Sequence, residues 1–165
     1  MKQLLIALGG LSFAFLISCG GGGETTTQQS ATTEEAEAAP ADPRGVGEVK
    51  EVNLTDPLEE SMITTGKAIY EMKCSACHKL TDQRVVGPGW AGVTNKRRPE
   101  WIMNMITNVD VMLAEDPQAQ KLLEECLTRM PNQGVSIGDA RALLEYMRNN
   151  DEETVGEKDQ AANQS

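Results

Sequence analysis

A second histidine is missing: His78 is the only imidazole in 165 residues. No centre that needs paired imidazoles can be assembled from this chain alone. A basic bias is missing as well. Fifteen Lys and Arg stand against twenty-five Asp and Glu, a formal net charge of -10, which excludes the positive footprint of a nucleic-acid binder. No convincing strand pattern occurs, so a redox pair on strand–helix alternation has no scaffold. The longest apolar run, LLIALGGLSFAFLIS at residues 4–18, is too short for a comfortable membrane span. Residues 20–56 contain no aromatic side chain and are dominated by Gly, Thr, Gln, Glu and Ala; such a stretch cannot bury a core. Its GGGG run lacks the Lys-Ser/Thr and the flanking strand of a phosphate loop.

What is present divides the chain into four parts. Residues 1–18, with Lys2 ahead of the apolar run, read as an export signal. Leu16-Ile17-Ser18-Cys19 resembles the bacterial lipobox, in which the cysteine is diacylated and becomes the new N-terminus. Cys19 falls where apolar sequence meets small and polar residues, which favours a lipoprotein over an ordinary signal peptide with an incidental cysteine. Residues 19–56 are expected to be a disordered acidic tether, 57–150 the folded domain and 151–165 a disordered acidic tail. Charge follows the same division. Residues 20–60 carry ten acids and two bases, 151–165 five and one, and 61–150 ten and eleven. The acidity belongs to the flanks and to their solvation.

Within 57–150 the pattern is helical. Pro57 suits a first helical position, and Leu58, Met62, Gly66, Ile69 and Tyr70 then share a face. Pro99 opens a second helix with Trp101, Ile102, Met105 and Ile106 on one side. Asp116-Pro117 reads as an N-cap and first turn for a third, through about Thr128. Ser136 with Asp139 resembles a capping box for a last helix carrying Ala140, Leu143, Leu144 and Met147 and ending at Asn149-Asn150. The expected fold is all-α, about four helices.

The chemistry concentrates at CSACH, residues 74–78. Two thiols separated by two residues at a helix end reach the same edge of a porphyrin and add across its vinyl groups, and a histidine directly after them is carried beneath the iron. An export signal agrees with haem attachment outside the cytoplasm. The rivals are weaker. Zinc needs four ligands, and only Cys126 and carboxylates remain to supply them. A structural disulfide is permitted by export. With His78 as the proximal ligand, the sixth position falls to one of eight methionines, to a lysine, or to nothing. Most methionines at helical spacing are packing. Met130 follows a helix, precedes Pro131 and lies in a loop, where a thioether can be brought over an open haem face; it is preferred to Met112, near a helix end.

The ordered set GKAIYEMKCSACHKL, VGPGW, RMPNQG and ALLEYM resembles a small mono-haem class I cytochrome c over residues 60–149. The resemblance implies one covalent haem c on Cys74 and Cys77, with about four helices wrapped around it. It implies His78 and Met130 on the iron, and first and last helices packed through Gly66 and Tyr70 against Leu143 and Tyr146. It implies the Pro88 carbonyl as acceptor of the proximal imidazole N–H, and Trp90 beside the haem. Trp101 is a candidate donor to a haem propionate, with plain core packing its alternative. Cys126 is left over and reads as a small buried hydrophobe.

With both axial positions filled, no site is open to substrate, and the expected role is a monomeric electron carrier and not an enzyme. The carrier would be lipid-anchored in a bacterial cell envelope, facing the periplasm or the outside. Its partners would be redox proteins such as a nitrous oxide reductase or a terminal oxidase. Lys67, Lys73, Lys79, Arg84, Lys96, Arg97 and Arg98 form a candidate docking cluster for an acidic partner face. The alternative is a haem-based ligand sensor or small haem enzyme with a vacant sixth position. Cys19→Ala is expected to move the holoprotein from the membrane fraction to the soluble one; retention at the membrane would place the anchor elsewhere.

Overall fold

The computed structural model describes residues 41–154. The expected export signal, the candidate lipidation site Cys19 and the expected tether up to residue 40 lie outside the described residues, as does the expected tail from residue 155. The helices are α1 (Glu60–Lys73), α2 (Val93–Lys96), α3 (Pro99–Thr107), α4 (Val109–Glu115), α5 (Pro117–Cys126) and α6 (Ile137–Thr154). Among the described residues no strand forms, apart from an isolated antiparallel bridge between His78 and Arg84.

Local sequence explains most of the boundaries. Pro99 and Pro117 each occupy the first turn of a helix, where a missing N–H costs nothing. Asp116 caps α5 by accepting from the Ala119 N–H at 2.8 Å, and Ser136 Oγ accepts from the Asp139 N–H at 3.1 Å ahead of α6. Pro57 is not the first helical residue, since α1 starts at Glu60. Two elements were not anticipated. α2 is a single turn entered through the left-handed Gly92. α4 is separated from α3 by Asn108, whose ψ of 41° breaks the helical path, and it buries Val109, Met112 and Leu113.

α1 and α6 cross at Gly66. A Cβ there would collide with the Ala142 carbonyl and lie 2.8 Å from the Tyr146 Cβ. Only glycine permits this approach, and the side chains beside it close the joint: Leu143 is fully buried and the Tyr70 and Tyr146 rings lie 5.6 Å apart. The pairing expected from the resemblance is therefore present. α3 adds Trp101, Ile102 and Ile106 to the same core.

Both flanking boundaries shift. The tether was expected to run to residue 56, yet Val49 and Val52 are buried and residues 44–55 lie on the domain as a strap. Asn104, itself fully buried, serves this strap as a neighbouring strand would. Its Oδ1 accepts from the Val49 N–H at 3.1 Å, and its Nδ2 donates to the Val49 and Arg44 carbonyls at 2.9 and 3.0 Å. The Val46 N–H is taken by the Met112 Sδ at 3.1 Å, and Arg148 donates to the Thr55 carbonyl at 3.1 Å. Extended backbone without a sheet still needs partners, and here side chains of α3, α4 and α6 provide them.

At the other end α6 continues past Asn150 to Thr154. Asp151, assigned by sequence to a disordered tail, is fully buried. Its carboxylate accepts from the Gly92 N–H at 2.7 Å, the Thr94 N–H at 3.0 Å and the Thr94 hydroxyl at 2.7 Å, so it fastens α2 to α6. Glu145 is equally buried and is held by Arg141, by Arg148 at 3.1 Å and by the Glu59 N–H at 3.0 Å.

Gly66→Val is expected to destabilise the domain by about 1–3 kcal/mol or more, because the helices must separate to admit the side chain. Chemical denaturation measures it, and an unchanged midpoint would show that the α1–α6 approach is not rigid.

Candidate functional site

The end of α1 coils directly into the cysteine pair. The Cys74 and Ser75 N–H groups both donate to the Tyr70 carbonyl at 2.9 Å, and the Cys77 and His78 N–H groups return to the Cys74 carbonyl at 3.0 and 2.9 Å. Cys74, Cys77 and His78 are thereby held in one tight turn. Tyr70 reaches forward from α1 and donates its hydroxyl to the His78 carbonyl at 2.8 Å. Its ring stands 5.0 Å from Trp90, and Trp90 in turn 5.5 Å from the His78 imidazole.

The following loop folds back over the turn. The Gly87 N–H donates to the Cys77 carbonyl at 3.0 Å and the Trp90 N–H to the Lys79 carbonyl at 2.8 Å. This brings the Pro88 carbonyl to 2.8 Å from His78 Nδ1. A carbonyl only accepts, so Nδ1 carries the proton and Nε2 keeps its lone pair. Gly87 makes room for the ring, since a Cβ there would lie 2.8 Å from Nδ1. Burial pushes the imidazole pKa down, against the opposing pull of the Pro88 bond, and this favours the neutral ligand form. The Cys74 thiol is pushed up to about 11, chiefly by burial, so it stays protonated at neutral pH. Cys74, Cys77 and the half-buried Cys126 are all free thiols.

These groups open onto one cavity with mainly apolar walls. Its lining comprises Cys74, Cys77, His78 and Trp90, the apolar Ile106, Val135 and Leu143, and, from the segment after α5, Met130, Pro131 and Gln133. Lys73 stands at its edge and donates to the Gln133 carbonyl at 3.0 Å. Lys73 and Gln133 were not singled out by sequence as site residues; the PNQG turn after Met130 was the available signal. Met112 is absent from this lining. It is fully buried, and its sulfur is engaged by the strap.

The chain matches the cytochrome c family over residues 63–151, more than half its length. It belongs to the cytochrome c family. Among solved structures it is similar to the cytochrome c from Rhodothermus marinus, with 34% identity and a TM-score of 0.65 over 68% of this chain and 100% of that one. An engineered cytochrome c from the same organism, Rma TDE, matches with 34% identity and a TM-score of 0.64 over 67% of this chain and 99% of that one. The same engineered protein bound to a carbene intermediate matches with 33% identity and a TM-score of 0.61 over the same shares. No curated protein matches the chain.

Membership brings a covalently attached haem c and a haem electron-carrier role. The residues of this cytochrome fit the group. Two free thiols, an imidazole with a free Nε2 and a thioether border a single apolar cavity.

Trp101 corrects one expectation. Its indole N–H does not face the cavity as a donor; it bonds the buried Asp116 Oδ1 at 3.0 Å. Arg97 covers its ring at 4.6 Å. Trp101 thus ties α3 to the cap of α5, because burying the Asp116 carboxylate demands a donor beyond the Ala119 N–H. Six of the seven candidate docking cations also have intramolecular partners. Besides Lys73 and Arg97, Lys79 reaches the Ser75 carbonyl, Lys96 the Ala91 carbonyl, Arg84 the end of α5 and Arg98 the buried Glu100. Trp101→Phe is expected to cost about 1–3 kcal/mol in denaturation, from the unpaired Asp116 oxygen, while leaving the haem spectrum and potential unchanged. A changed potential with unchanged stability would return Trp101 to the haem.

Proposed function

We propose that this cytochrome is a lipid-anchored carrier of single electrons, in which Cys74 and Cys77 would hold haem c through thioether bonds and His78 Nε2 and Met130 Sδ would be the ligands to its iron. The observation that carries the reading is the sorting of the two candidate thioethers: Met130 lines the same cavity as Cys74, Cys77 and His78, whereas the Met112 sulfur accepts a backbone N–H elsewhere. Haem supplies a reversible one-electron couple, and thioether ligation favours its ferrous form and raises the potential. The chain supplies orientation and exclusion. Pro88 fixes the imidazole and increases its basicity. Trp90, backed by Tyr70, lines the cavity with Ile106, Val135 and Leu143, and these apolar walls exclude water. With the sixth position filled there is no place for substrate, so the role is transfer and not catalysis.

Diacylation at Cys19 would keep the domain on the envelope side of a bacterial membrane, facing the periplasm or the outside. The partners are redox proteins of a respiratory chain, with a nitrous oxide reductase or a terminal oxidase as the proposed class of acceptor. This rests on the LISC junction at residues 16–19.

Met130→Ala, made in a Cys126→Ser background so that no nearby thiolate substitutes, is expected to keep its covalent haem. It should bind carbon monoxide rapidly in the ferrous state, lose the far-red ferric band that reports Met–Fe ligation, and show a lower potential. If the parent already binds carbon monoxide rapidly and Met130→Ala changes nothing, the sixth position is open and the ligand-sensor reading replaces the carrier.

A further inference from the structure

We propose that Arg84 is a positioning residue for the distal ligand: a crossbar that ties the His78 side of the crevice to the Met130 side. The proposal rests on the reading of Met130 as that ligand.

The backbone of Arg84 is paired with that of His78 in the isolated antiparallel bridge. Its neighbours are pinned to the same turn, with the Val85 N–H on the Gly87 carbonyl and the Gly87 N–H on the Cys77 carbonyl. Arg84 therefore belongs, through its main chain, to the proximal half. Its side chain belongs to the other half. One guanidinium nitrogen donates to the Glu125 carbonyl at 2.9 Å and the other to the Glu125 carboxylate at 3.1 Å. Glu125 is in the last turn of α5, five residues before Met130.

The grip falls where the fold needs one. The last carbonyls of a helix have no intrahelical partner and favour a cation. α5 carries no basic residue in its own last turn, so Arg84 supplies the charge from across the crevice. Immediately beyond, Leu127 takes the left-handed conformation at φ 56°, and no regular structure follows until Ile137. The Met130 segment is thus a loop whose position depends on its end points. Lys73 restrains it from α1 through the Gln133 carbonyl, and Arg129 pairs with Asp110 at 3.0 Å. Arg84 is the restraint that fixes the start of the loop against the proximal turn itself, and so sets the separation of the two axial side chains. Both partners of the Arg84–Glu125 pair are about half exposed, so the tie is worth a modest factor and weakens with salt. A strap of that strength governs how often the loop opens, not whether the domain folds.

The experiment measures carbon monoxide binding to the ferrous holoprotein well below its unfolding transition, with amide exchange across residues 127–135. Arg84→Gln is expected to speed binding about threefold to tenfold, from the loss of an exposed pair and a carbonyl bond together, and to raise exchange in that loop. Glu125→Gln keeps the carbonyl and should show a smaller rise. Added salt should speed the parent and leave Arg84→Gln nearly unchanged. Met130→Ala serves as the open reference. If Met130→Ala is fast while Arg84→Gln and Glu125→Gln match the parent, the crossbar is refuted and the ligand assignment stands. If Met130→Ala itself matches the parent, the ligand assignment fails and the crossbar with it.

Discussion

The close approach of α1 and α6 at Gly66 is the constraint from which the haem site descends. With the Ala142 carbonyl pressed against the Gly66 backbone, the axis and rotation of α1 are fixed four residues before Tyr70 and eight before Cys74. Tyr70 then has one place to go, between the Tyr146 and Trp90 rings, with its hydroxyl on the His78 carbonyl. The turn that presents both cysteines hangs from the Tyr70 carbonyl. A side chain at residue 66 would displace the helix end, the turn and the imidazole together.

The two halves of the site are built in different ways. The proximal half is local. Main-chain bonds between residues 70 and 90 coil the CSACH turn, return the loop and set the Pro88 carbonyl on the imidazole. The distal half is brought in from far along the chain, on a segment without regular structure. Side chains 60, 41 and 19 residues away tie it down: Lys73 on Gln133, Arg84 on Glu125, Arg129 on Asp110. Local main-chain closure gives a stiff ligand, whereas exposed side-chain ties give an adjustable one. On the proposed assignment of His78 and Met130, that division would suit a centre whose proximal bond must persist and whose distal bond tunes the potential.

Sequence reading reached the proximal half because its signals are short-range: C-x-x-C-H, a proline ten residues on, and glycine where two helices touch. Met130 could be singled out for a different reason, as a methionine outside helical spacing beside a proline, and it does line the cavity. Trp101 was misplaced, because which acid an indole meets depends on the packing of α3 against α5 and leaves no trace in spacing. The strap was missed because its valines sit among acids and glycines, and its hydrogen-bond partner is not a second strand but Asn104, about 55 residues away. Asp151 was missed because acidic composition at a chain end looks alike whether the carboxylate is solvated or, as here, meets three donors from α2.

The fastening of α2 by Asp151, 59 residues downstream of Gly92, gives the fold an order in time. A chain emerging N-terminus first presents CSACH long before it presents α6, and the Gly66 face of α1 has no partner until residues 142–146 arrive. Pairing over such a separation is slow and comes late. Until the last helix is out, the two thiols sit in a locally closed turn but have no wall at Leu143. The cavity is therefore completed in two stages by its connectivity: the attachment turn needs only residues 70–90, whereas the wall at Leu143 comes with the last helix.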